Sequence, residues 1–216
     1  MSGRRLRRSG LIVATGAALV LSACGSGARQ DANEPSGNFT VSVPVATFPT
    51  LQRLAQHTHL VISIHNTGPK TIPNVAVTII DPRTGTAAQA FGGLISSTTQ
   101  PLASRSRPVW IIDRPPGPCT YSCQSGGPGG AVTAYSNTWA LGALKPGATA
   151  TFVWAVTPVK AGAYVIQYRV AAGLNGKAKA VLADGGAPMG TFKVHVTTVP
   201  QQSYVNDNGQ VVKVGP

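Results

Sequence analysis

Acidic residues are scarce: 6 Asp and Glu stand against 18 Lys and Arg in 216 residues, a formal charge of +12. Within residues 39–200 the only carboxylates are Asp81, Asp113 and Asp184. They lie too far apart in sequence to announce the paired acid and base of hydrolytic chemistry. Gly-x-Ser-x-Gly is absent, as is the Ser-His-Gly-Cys motif of envelope transpeptidases. Aromatic residues make up only 6% of the chain. No stretch beyond the first 21 residues carries helical periodicity. These absences read as a non-enzymatic protein, without a cofactor, and exclude a helical fold.

The N-terminus is built differently. Arg4, Arg5, Arg7 and Arg8 precede an apolar run from Leu11 to Leu21. That run is too short to cross a hydrocarbon core of about 30 Å, so it reads as a signal peptide over residues 1–23. It ends in Leu21-Ser22-Ala23-Cys24. In this context the four residues resemble the lipobox of bacterial lipoproteins. The resemblance implies cleavage after Ala23, acylation of the Cys24 thiol, and anchoring on the extracytoplasmic face of the cell membrane, or in the outer membrane where the host has one. Two or three acyl chains hold durably where one holds only marginally. The twin-arginine and general export routes both remain open.

Four of the 18 cations leave with the leader and no acid does, so the balance falls from +12 to +8. A basic surface at an envelope favours anionic lipid or wall polymers by long-range attraction. Export argues against nucleic acid, and no Lys/Arg run longer than two residues follows Arg8. Residues 24–38 hold no large apolar side chain and read as a flexible tether, with a mean reach of about 20 Å.

From Phe39 to Pro200 apolar residues recur with period two. The runs are Phe39-Val41-Val43-Val45, Leu60-Ile62-Ile64, Val75-Val77-Ile79, Phe152-Trp154-Val156, Tyr164-Ile166-Tyr168-Val170 and Phe192-Val194-Val196, bounded by Gly, Pro and Asn. Several short strands with one buried face each predict an all-β fold, an antiparallel β-sandwich over residues 39–200. Ala161-Gly162-Ala163-Tyr164 is similar to the tyrosine corner of immunoglobulin-like domains, although Ile166 stands where antibody domains carry a cysteine. His59 to Gly68 with its Asn66-Thr67-Gly68 turn, Ile72 to Asp81, and Leu144-Lys145-Pro146-Gly147 resemble the bacterial cell-adhesion-related Ig-like domains. That resemblance implies surface binding or display. Residues 201–216 read as a C-terminal tail.

One segment departs from a minimal sandwich. Residues 98–141 read as a long insertion, rich in Pro and Gly between Arg114 and Gly130. With Cys24 assigned to lipid, Cys119 and Cys123 form an even pair in an oxidising compartment, where a disulfide is expected. The insertion is a candidate binding loop presenting Trp110, Arg114, Tyr121, Tyr135 and Trp139; alternatively its tryptophans belong to the core. His57 and His59, two apart on one strand face, offer a weaker reading as copper or zinc ligands. The sequence therefore points to a lipid-anchored Ig-like binding or structural module of the cell envelope, contacting an envelope protein or an anionic component. Its alternative is an exported metal-handling or enzymatic accessory lipoprotein.

Overall fold

A computed structural model describes residues 33–82, 90–93, 108–117 and 137–214. The lipobox with Cys24, the cysteines Cys119 and Cys123, and Tyr121 and Tyr135 lie outside the described residues. Those that are described contain strands, turns and bends and no helix. In chain order the strands are β1 (Gly37–Thr47), β2 (Leu51–Leu54), β3 (Thr58–Asn66), β4 (Ala76–Ile80), β5 (Phe91–Gly93), β6 (Trp110–Arg114) and β7 (Thr138–Ala140). They continue as β8 (Thr149–Pro158), β9 (Gly162–Ala171), β10 (Ala178–Val181), β11 (Met189–Pro200), β12 (Ser203–Val205) and β13 (Val211–Lys213).

Two sheets carry the fold, ordered β10-β1-β3-β8-β6-β5 and β2-β11-β9-β4-β7. Taking β1, β3, β4, β6, β8, β9 and β11 as the seven strands A to G reproduces the ABED and GFC sheets of the immunoglobulin constant-type sandwich. Inward rows from both sheets fill the space between them. Leu60, Ile62 and Ile64 on β3, and Phe152, Trp154 and Val156 on β8, are all fully buried. They sit side by side through the antiparallel pairs Leu60↔Trp154 and Ile62↔Phe152. From the facing sheet Trp139 meets Trp154 edge-on at 5.4 Å between ring centroids. Tyr164 likewise meets Trp110 at 5.4 Å.

The turns named in the sequence close as hydrogen-bonded devices. Tyr164 Oη donates to the Ala161 carbonyl at 2.8 Å, the bond that defines a tyrosine corner. Gly162, at φ 144°, gives the ring room there. Asn66 is completely buried, and its Nδ2 donates to the carbonyls of Lys70 and Leu144 at 2.9 Å each. Its Oδ1 accepts from Gly68 N–H at 3.1 Å. Asn66 thus joins the turn after β3 to the Leu144–Gly147 turn before β8.

The structure adds detail to four sequence expectations. The alternation of β1 breaks at a register shift between Ser42 and Val45, so Val45 is turned outward at 38% exposure. The stretch 98–141 is not one insertion, because β6 and β7 both fall inside it and pair with the core strands β8 and β4. The tether ends earlier than residue 38: Glu34 Oε2 accepts from Asn175 N–H and Oε1 from Ala178 N–H, each at 2.7 Å. Gly37 then already pairs with Ala178. The tail contains a hairpin, β12 antiparallel to β13.

Candidate functional site

The outer face of the six-stranded sheet carries small polar side chains, joined across strands by Ser63 Oγ to Thr151 Oγ1 at 2.9 Å and His65 Nδ1 to Thr149 Oγ1 at 3.0 Å. At the end where β2 turns into β3, this face borders a groove of about 730 Å³. It is lined by Thr47, Phe48, Thr50, His57, His59 and Val61, with Phe192 contributed by the facing sheet.

Local bonds fix the chain segments that border the groove. Gln52 Nε2 donates to the Pro49 carbonyl at 2.9 Å, and His195 N–H donates to the Thr50 carbonyl at 2.7 Å. Gln52 Oε1 in turn accepts from Trp110 Nε1 at 2.7 Å within the core. Two residues before His57, Ala55 takes a left-handed conformation at φ 60° and donates its N–H to the Pro158 carbonyl at 3.0 Å. A non-glycine residue there costs about 1–2 kcal/mol, so the turn is held by its surroundings. His57 leaves this turn beside the C-terminal end of β8.

A β-bulge supplies the partner of His57. Ile112 pairs with Val156 and Arg114 with Ala155, so Asp113 is the extra residue between them. Bulges re-aim side chains, and this one directs the Asp113 carboxylate across β8. Thr157 Oγ1 donates to Asp113 Oδ2 at 2.7 Å, and His57 Nδ1 lies 3.0 Å from the same oxygen. The Thr157 hydroxyl oxygen is also 2.9 Å from His57 Nδ1. A carboxylate oxygen accepts, so Nδ1 is the nitrogen that donates to Asp113 and Nε2 is the one left facing away from it. Nε2 has no partner among the described residues, and the His57 side chain is 67% exposed. The arrangement presents an oriented imidazole to solvent with a second imidazole, His59, along the same groove.

Behind the groove, burial lifts the Tyr168 phenol above its ordinary 10.0. Its ring packs on Phe192 with centroids 5.5 Å apart.

The candidate loop residues separate. Trp110 is wholly buried and Trp139 is 6% exposed, both on strands, so neither belongs to an exposed recognition loop. The reason is patterning: Trp110 and Ile112 form the inward row of β6, and Trp110 is ringed by Phe48, Phe91 and Tyr164. Arg114 ends β6 and is exposed. His57 and His59 do come together in one groove. Sequence reading missed Asp113 and Thr157 as partners of His57, since no pattern within a five-residue strand announces a bulge. Among the described residues no group of three or more His, Cys, Asp or Glu is arranged to hold a metal ion.

No protein-family model and no curated protein matches the chain. Among solved structures, a CARDB domain from Pyrococcus furiosus is similar at 13% identity and a TM-score of 0.39, over 74% of this chain and 94% of that one. The native conformation of Escherichia coli alpha-2-macroglobulin is similar at 13% identity and a TM-score of 0.38, over 76% of this chain and 7% of that one. The ASH/PapD-like domain of human CEP192 gives 10% identity and a TM-score of 0.31, over 76% of this chain and 88% of that one.

Proposed function

We propose that the chain is a lipid-anchored, extracytoplasmic Ig-like module of the bacterial cell envelope that binds or supports another envelope component and does not turn over a substrate. The observation that carries this reading is Leu21-Ser22-Ala23-Cys24 standing directly behind a basic and then apolar leader. The two-sheet sandwich that follows supports a binding or structural role. A net charge of +8 after the leader suits an anionic wall polymer, an anionic lipid or an acidic envelope protein. The contact residues of this reading are Arg114, Tyr121 and Tyr135, because Trp110 and Trp139 are spent on the core.

The test joins anchoring to capture. Metabolic labelling with a fatty acid should mark the wild-type chain and leave Cys24→Ala unlabelled, with the variant released from membranes or retaining its leader. Cross-linking on intact cells should then capture an envelope component with the wild-type chain and lose it with Cys24→Ala. Labelling of the Ala variant, or a wild-type chain found free of membranes, would overturn the proposal.

A further inference from the structure

We propose that His57 and His59 form a surface site for a transition-metal ion, with copper(II) as its preferred occupant. Three features of the structure point to it. The first is orientation. Metal-binding histidines characteristically donate their non-ligating N–H to a carboxylate, which fixes the tautomer and raises the basicity of the other nitrogen. His57 has this arrangement, with Nδ1 3.0 Å from Asp113 Oδ2. The carboxylate is itself tied by Thr157 Oγ1 at 2.7 Å.

The second feature is the way the carboxylate reaches its place. Asp113 arrives through a bulge on β6 and spans β8 to meet a residue preceding β3. Three chain segments thus converge on one imidazole that contributes nothing to the core, being 67% exposed. The third is the neighbouring ligand. His59 lies two residues on, within β3, and is exposed. Both histidines line the same groove.

Two imidazole nitrogens leave the remaining positions to water or to a donor from an incoming molecule, so the site is open. Imidazole donors suit copper, zinc and nickel, and affinity across the divalent series peaks at copper(II). The Asp113 carboxylate adds a negative charge beside the ion in a chain that is otherwise strongly basic. None of this depends on the lipid anchor or on an envelope partner, so its test and the preceding one fail separately.

Copper(II) chloride is titrated into the purified full-length chain after its cysteines are alkylated, with binding followed by calorimetry and electron paramagnetic resonance. One equivalent should bind, with nitrogen hyperfine structure from imidazole. His57→Gln and His59→Gln should each abolish that equivalent while circular dichroism and the unfolding midpoint stay at wild-type values. Asp113→Asn should keep the nitrogen signature and weaken binding by about 10- to 100-fold. Absence of stoichiometric binding to the wild-type chain would overturn the site. So would binding that survives both histidine variants, which would move the ion to His65, His195 or the N-terminus. An affinity unchanged in Asp113→Asn would remove the positioning role that the inference rests on.

Discussion

Trp110 and Trp154 are both fully buried, yet their indole nitrogens fare differently. Trp110 Nε1 donates to Gln52 Oε1 at 2.7 Å, whereas Trp154 Nε1 meets no acceptor among the described residues. Removing one partner of a buried bond costs about 1–3 kcal/mol for the group left behind, and removing an unpaired donor carries no such cost. Trp110→Phe strands Oε1 of Gln52, which is 1% exposed, in addition to trimming ring contacts with Phe48, Phe91 and Tyr164. Trp154→Phe loses comparable contact area but also discards the unmet N–H. Urea unfolding should therefore place Trp110→Phe below Trp154→Phe by at least about 1 kcal/mol. Equal midpoints would show that the Gln52 bond contributes nothing net.

Glu34 decides where the first strand begins. Its two carboxylate oxygens accept from Asn175 and Ala178 N–H at 2.7 Å, closing the loop that leads into β10. Hydrogen bonds to a charged group are worth about 1.5–3 kcal/mol, so Glu34→Gln, which turns an acceptor into a donor against a backbone N–H, should destabilise by about that much. Amide exchange at Ala178 should accelerate with it. Gly173→Ala strikes the same clamp, since a Cβ there would collide with the Glu34 carboxylate. The two changes should fall short of additive, and full additivity would separate them. The strands β1, β3, β8, β9 and β11, nine to twelve residues each, were legible because each carries several repeats of a period-two pattern, and β4 because Val75-Val77-Ile79 runs through it. The three- to five-residue strands β2, β5, β6, β7 and β10 were not, since partners and not patterns hold them. Glu34 stood unread for the same reason: its partners lie about 140 residues away. Half of the His57 site was visible as His57-Thr58-His59; the other half required the bulge that carries Asp113.

At the scale of the molecule, the C-terminal hairpin stands apart from the core that holds the two sheets together. Tyr204, Val205 and Val211 are more than half exposed, at 57%, 65% and 69%. A two-stranded hairpin is marginal alone, and this one buries little against the sandwich. Ending the chain after Gln202 should leave the thermal unfolding midpoint of the sandwich within the shift of a surface change, about 0.5 kcal/mol. A larger loss would show that the hairpin supports the fold. The opposite end is built for the reverse condition. β1 is parallel to β10 over Gly37–Thr40 and antiparallel to β3 from Val41 to Thr47, with the Glu34 clamp just ahead of it. A pull on the chain at its entry into the domain runs along the strand axis, so these ladders are loaded in shear and share the tension. They are not peeled apart one bond at a time, and a dragging force meets these ladders together.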